Sequence, residues 1–338
     1  MTYLIEAVNV NDAYHRARAL IRRVGQPLHT RNGPAYRAPH PVVTSYAAPM
    51  ERVLLDPVRD ANPFFHVFEA LWILAGRNDV HTLGYFNGRI STYSDNGAFF
   101  HGAYGWRLRR AFGVDQLQRA AELLRANPND RRVVLSIWHP SLDLGTDSKD
   151  IPCNDMLKLA VREDTWLDLT VFNRSNDILW GCYGANAVQF AFLLEYMAAA
   201  AGLRPGMLHQ VSTDWHWYGS LPEHPGYDVP DPYRQHDLSW VALLAPGETV
   251  ALLDDDIALF WYLVTAGRPS EHRDSFATRW MRTVAWPLWQ AWLSWKTTWP
   301  DGAPKERREL EARRHAQLCA ASDWRWAATA WLDRRRTN

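Results

Sequence analysis

Apolar positions along this chain change period several times, and each change marks an element. The first twenty residues, MTYLIEAVNVNDAYHRARAL, read as a short strand followed by an amphipathic helix. Gly25 to Ala48 keeps neither period and is rich in Pro, His and Arg, which predicts an ordered loop carrying the Arg31-Asn32-Gly33 turn. NPFFHVFEALWILAG, residues 62–76, predicts an Asn-capped helix, apolar throughout except for one acid, Glu69, in its middle. A carboxyl group in such a helix needs a reason.

Residues 115–126 predict another amphipathic helix, stopped by Asn-Pro-Asn-Asp. RRVVLSIW, MLKLAVRE and WLDLTVFN are β-branched and alternating, as strands are, and the last two meet across Asp-Thr-Trp as a hairpin. A helix over 185–202 leads through Leu-Arg-Pro-Gly to GMLHQVSTDWHWY, read as one further strand. Beyond about residue 250 the pattern turns helical, with a Pro-Asp-Gly-Ala-Pro turn near residue 302 between two helical pieces. The expected class is α+β: a mixed, largely antiparallel sheet flanked by helices. Residues 1–250 form the core, and a Trp-rich helical extension, 251–338, packs on it within one structural domain.

Composition narrows the function classes. Among 338 residues, Lys+Arg and Asp+Glu both number 37, so no global field favours nucleic acid or an anionic membrane, and any anion must be held by local arginines. The 18 tryptophans, many of them in the extension, are read as packing surface because stacking on single strands would come with positive charge. Cys153, Cys182 and Cys319 are too few and too irregular for a disulfide framework or a zinc site, and no metal is expected. The longest apolar run, ANAVQFAFLLEYMAAAAGL, contains Gln189 and Glu195 and reads as a buried helix, not a membrane span. The N-terminus lacks the features of a signal peptide, and a cytoplasmic location is expected.

Candidate chemistry concentrates between residues 151 and 190. Cys153 follows Pro152, and an arginine on a neighbouring strand would stabilise its thiolate, the nucleophilic form. Arg174-Ser175 at a strand end, with Gly181 and Gly184 before a helix, offers a guanidinium fork, a hydroxyl and backbone N–H groups suited to phosphate. Arg131-Arg132 is a solvated strand edge or a second phosphate fork.

The order of these pieces resembles the folate-dependent thymidylate synthase family. It runs through RNG, FEALWILAG, AYGWR, DRRVVLSIW, IPCN, FNRSND, GCYGAN and TDWHWY, from about Arg31 to Tyr218. The resemblance implies that Cys153 adds to C6 of a pyrimidine nucleotide, making C5 a carbon nucleophile toward 5,10-methylenetetrahydrofolate. It implies a phosphate held by Arg31, Arg174 and Ser175, and by Arg131 and Arg132 of the second copy in a homodimer. By the same carry-over Glu69 manages protons near the base O4 or N4, Tyr104 serves C5 proton removal, Asn186 reads the base edge, and His216 and Tyr218 bind the sugar. Asp177, Trp180 and Glu69 fall to the folate, with Asp177 on its pterin.

Departures from the family pattern choose the branch. Asn154 follows the nucleophile where the family has His, Asn173 stands where it has Gln, and GCYGAN replaces its GLPFN turn. Around Arg89-Ile90-Ser91-Thr92-Tyr93-Ser94 there is no tryptophan to shelter the exocyclic methylene intermediate, and DRRRTN is unlike the family's short apolar tail. Water is then expected to capture that methylene, as in the pyrimidine nucleotide hydroxymethylase branch, which also shares the NRSND and WGCYGAN wording. Family members acting on cytosine carry Asp at the Asn186 position, so Asn186 leans toward uracil; Asn176, after Arg-Ser, is a candidate acceptor for a ribose hydroxyl. A true thymidylate synthase and a non-catalytic nucleotide or RNA binder are the competing readings.

Overall fold

The computed structural model describes residues 1–223, 229–266, 272–296 and 304–336. Strand β1 (Tyr3–Ala7) leads into the Val10–Val24 helix, whose first amides are satisfied by the Asn9 side chain. The region expected as a loop is instead three strands: β2 (Gln26–Thr30), β3 (Gly33–Arg37) and β4 (Val42–Tyr46). β2 and β3 form a hairpin around Arg31-Asn32, with Thr30 opposite Gly33. This ribbon is solvated on both faces for most of its length, so no alternation of apolar residues betrays it.

The larger sheet adds β5 (Val134–Ser136), β6 (Asn154–Arg162), β7 (Trp166–Asn173) and β9 (Arg204–Ser212), in the order β1-β4-β9-β7-β6-β5. β6 and β7 are the expected hairpin; Glu163 and Asp164 take positive φ at its turn. Three of the pairings in this sheet are antiparallel and two parallel. The run read as one strand through residue 218 divides: β9 stops at Ser212, and β10 (Trp215–Tyr218) joins a second sheet, β2-β3-β10-β8, with β8 at Asn176–Asp177. β7 and β9 lie parallel with Asn173 opposite Ser212, and β8 and β10 lie parallel with Asn176 opposite Trp215. Both chains therefore leave the first sheet at the same level, which places Arg174 and Ser175 at the split between the two sheets.

One buried helix, Asn186–Ala201, lies on β7 and β9, and a second, Pro63–Leu74, packs against it. Pro63–Leu74 is capped by Asn62, whose Oδ1 accepts from the Phe65 amide, and all its residues are buried. Asn186–Ala201 follows directly on π-helical turns over Ile178–Ala185. The Gly181 and Gly184 region is thus helical, and the Asp177 carboxylate takes its first amides, those of Leu179 and Trp180. Those N–H groups are occupied, which removes them from the expected phosphate cradle.

The C-terminal part consists of helices Val250–Thr265, Trp286–Lys296, Lys305–Gln317 and Ser322–Asp333. Its described tryptophans pack inward: Trp292 and Trp331 lie 5.4 and 5.6 Å from the Phe64 ring, and Trp289 meets Phe68 edge-on at 5.9 Å. Aromatic packing, the reading made from composition, is what these rings do. The turn expected near residue 302 lies outside the described residues, apart from Pro304. No described helix is long and apolar enough to cross a membrane.

Glu195, the acid in the second buried helix, accepts from Arg52 at 2.7 Å and from the Leu243 amide at 2.6 Å, while the Arg52 guanidinium lies 3.8 Å from the Phe192 ring centre. Removing one member of a buried ion pair strands the other, so Glu195→Gln is expected to cost about 3–5 kcal/mol in denaturant unfolding. A loss below about 1 kcal/mol, the range of exposed pairs, would contradict this reading.

Candidate active site

Cys153 ends the loop that enters β6, and its carbonyl accepts from the Arg174 amide at 3.0 Å. The Arg174 side chain turns back over the same loop: Nε donates to the Pro152 carbonyl and Nη2 to the Ile151 carbonyl, both at 2.8 Å, with Nη2 3.9 Å from Cys153 Sγ. A guanidinium tied to two carbonyls has little freedom to leave the sulfur. Burial nevertheless raises the Cys153 thiol; Arg174 and Arg31 pull it down, while Asp150 and Asp155 push it up. The resting nucleophile is a thiol beside a cation that favours its ionised form.

Glu69 faces the same space from the Pro63–Leu74 helix. Burial raises its carboxyl to about 8, against the hydrogen bond it accepts from Gln189. The group is therefore protonated at neutral pH and able to donate. Tyr104 lies nearby, its ring stacked on Phe190 at 6.3 Å. Burial first, then the charges of Cys153, Asp150 and Glu69, hold it well above the usual phenol range. Gly105 lets this segment approach the helix, because a Cβ there would run into the Ile73 carbonyl.

Opposite them, Asn186 donates from Nδ2 to Asn176 Oδ1 at 3.1 Å, and Asn176 donates to Ser212 Oγ at 2.9 Å and to Gln210 Oε1 at 3.3 Å. Gly181 makes room for the pair: a Cβ there would lie 3.3 Å from Asn186 Nδ2 and 3.4 Å from Asn176 Oδ1. The two substituted positions beside the nucleophile, Asn154 and Asn173, hydrogen-bond each other. Asn176 is 1% exposed and its polar atoms are engaged within the wall.

His216 and Tyr218 project from β10 on one face, their rings 4.9 Å apart. His216 Nδ1 lies 3.0 Å from Asp214 Oδ1, and Asn32 donates to the Tyr218 hydroxyl at 3.3 Å. Arg31 and Lys149 flank the Cys153 end; Arg31 reaches the Lys149 carbonyl at 3.3 Å. At the far side Trp180, 46% exposed, lies over the Arg59 guanidinium at 5.3 Å, next to Asp177. Burial raises the Asp177 carboxyl, opposed by its two amide hydrogen bonds and by the charges of His216 and Arg59.

Cys153, Arg174, Glu69, Tyr104, Asn176, Asn186, His216, Tyr218, Arg31, Asp177 and Trp180 line one cleft of about 850 Å³, within the range of small-molecule and cofactor sites. Residues 54–248 match the sequence model of thymidylate synthase. The chain belongs to the thymidylate synthase family. It is 39% identical to the deoxyuridylate hydroxymethyltransferase of Pseudomonas phage M6, over 98% of this chain and 94% of that protein. It is 41% identical to the Bacillus phage SP01 protein of the same name over 53% of this chain and 49% of that one. A third, from Delftia phage PhiW-14, is 30% identical over 70% and 67%. Within the family this member is a one-carbon transferase of the hydroxymethylase branch.

The family's pocket gathers Cys153, Glu69, Tyr104, Arg174, Asp177, Arg31, Ser175, Asn176, Trp180, Asn186, His216 and Tyr218. Arg131 and Arg132 are not in it: both are exposed, and Arg132 is held by Asp130 at 2.8 Å. Sequence reasoning passed over Gln189, which touches Glu69, and Asp150, whose carboxyl is raised by burial to about 6 and accepts from the Gly102 amide at 2.7 Å. The spacing of Asn186 and Gln189, three apart on a helix, was the available signal. Trp72 also lines the cleft, from the helix that carries Glu69.

Because Glu69 rises from 4.5 to about 8 on folding, the folded state holds its proton more tightly than the unfolded chain. Its contribution to stability is full below the lower value and is lost as pH climbs through the upper one. Glu69→Gln, which cannot ionise, is expected to gain in melting temperature relative to wild type between about pH 5 and pH 8. A difference independent of pH would show that Glu69 is not buried as a neutral acid.

Proposed function

We propose that this protein hydroxymethylates C5 of deoxyuridylate with 5,10-methylenetetrahydrofolate. The nucleotide phosphate meets Arg31, Arg174 and Ser175, joined by Arg131 and Arg132 from a second copy, and the sugar meets His216 and Tyr218. Asn186 reads the base. Asp177 and Trp180 hold the folate, with Glu69 between folate and base. Cys153 gives its thiol proton to solvent and bonds through sulfur to C6, and the electron pair displaced from the C5–C6 double bond lets C5 take the one-carbon unit. Loss of the C5 proton, through water ordered by Tyr104, and departure of the folate amine leave an exocyclic methylene. Water adds to that carbon and gives up a proton to solvent while Glu69 donates one to the base oxygen as charge arrives there; return of that proton to Glu69 re-forms the carbonyl and the C5–C6 double bond and expels Cys153 as a thiolate.

The observation that carries this reading is the solvent exposure of one segment of the cleft that Cys153 lines. The 3₁₀ segment Gly88–Tyr93 brings Ile90 and a 53% exposed Tyr93 to the cleft, with Ser91 exposed beside them and no tryptophan in that segment. Among the described residues, none beyond Tyr218 lines the cleft; the end of the last helix is instead fastened to Asp60 by Arg334 at 2.9 Å and by Arg335. An intermediate open to water is captured by water, and one sealed from it waits for hydride. The names of the three phage relatives support the same substrate.

Incubated with deoxyuridylate and methylenetetrahydrofolate, the protein is expected to yield the 5-hydroxymethyl nucleotide with no rise in dihydrofolate absorbance, and Cys153→Ser is expected to abolish both turnover and release of tritium from C5. A dihydrofolate signal with a methyl product would make it a thymidylate synthase. Turnover retained in Cys153→Ser would remove the covalent step.

A further inference from the structure

An asparagine that reads a base is ambiguous by itself, since its amide offers an acceptor in one orientation and a donor in the other. What settles Asn186 lies behind it. Gln210 is fully buried, and its Nε2 donates to the Cys182 backbone carbonyl at 2.9 Å and to the Tyr46 hydroxyl at 2.8 Å. A backbone carbonyl only accepts, so Gln210 cannot turn over without setting oxygen against oxygen. Its Oε1 then faces Asn176, which must present Nδ2. The Ser212 hydroxyl agrees: it donates to Asn173 Oδ1 at 3.5 Å and so accepts from the same Nδ2. Asn176 is left with Oδ1 toward Asn186, and Asn186 answers with Nδ2. The atom that remains for a ligand is Asn186 Oδ1.

We propose that Gln210 and Asn176 are specificity-determining positioning residues: a relay anchored on the Cys182 carbonyl locks Asn186 with its oxygen toward the base, selecting a ring nitrogen that carries a proton. Uracil has that proton on N3. Cytosine presents a bare acceptor there, and two acceptors facing each other leave a desolvated edge unpaired. The inference rests on the reading of the cleft as a pyrimidine nucleotide site, and it adds that the choice of base is made two residues away from the base.

The test is affinity, read by calorimetry on the full chain with dUMP and with dCMP. Wild type is expected to prefer dUMP, and Asn176→Ala to reduce that preference tenfold or more by freeing Asn186 to turn. Asn176→Asp, whose protonated acid can both donate to Gln210 and accept from Asn186, is expected to retain it. Gln210→Met, which removes the anchor while keeping the volume, should behave like Asn176→Ala and serves if that variant does not fold. A purely structural role would weaken both nucleotides equally, and an unchanged preference ratio in the folded variants would overturn the relay, as would a wild type that binds both equally. Product chemistry is separate: base preference with a methyl product would keep the relay and sink the proposed function, and hydroxymethyl product with an unchanged ratio would do the reverse.

Discussion

A polar group taken out of water must find a partner, and in this protein three buried polar side chains of the Asn186–Ala201 helix find theirs on other parts of the fold. Glu195 is answered by Arg52, which ties the helix to the segment ahead of Pro63–Leu74. Gln189 is answered by Glu69, which joins the two buried helices inside the cleft. Asn186 is answered by Asn176, which joins the helix to the small second sheet. Each partner comes from a different element, so satisfying one helix assembles the walls of the site. The apolar residues supply most of the burial energy, and the three polar ones determine which way the pieces face.

The same burial governs the chemistry. Low dielectric disfavours charge on Cys153, Glu69 and Tyr104 alike, and each stays protonated in the resting site. The balance differs among them. Cys153 has two arginines pulling against its burial and two aspartates adding to it, whereas Glu69 has only a neutral amide against its own. A nucleophile and a proton donor thus share one cleft without neutralising each other, because their environments differ by a guanidinium.

Elements with a clear cap, apolar run or alternation were legible in the chain. The Asn62 cap with its apolar run, and the alternation in β6 and β7, predicted the structure found. The β2–β3 ribbon was not, because a strand solvated on both faces carries no alternation to read. The break between β9 and β10 was hidden for another reason: both halves are extended and mostly buried or half-buried, and only the change of sheet separates them. Of the site, the residues in the Cys153, Arg174 and His216 motifs were readable as a series and do converge. The hydrogen bonds of Asn176 within the wall were not legible, because a polar side chain seen alone does not tell which neighbours it meets. Arg131 and Arg132, by contrast, are outside their own chain's cleft, where only an assembly would give them a role in it.

The central claim is that water, and not hydride, completes the one-carbon transfer. It is tested most directly with methylenetetrahydrofolate deuterated at the carbon that would surrender hydride, followed by mass spectrometry of both products. The account predicts a hydroxymethyl nucleotide free of deuterium and tetrahydrofolate that has kept its label. Deuterium in a methyl group on the nucleotide would contradict it.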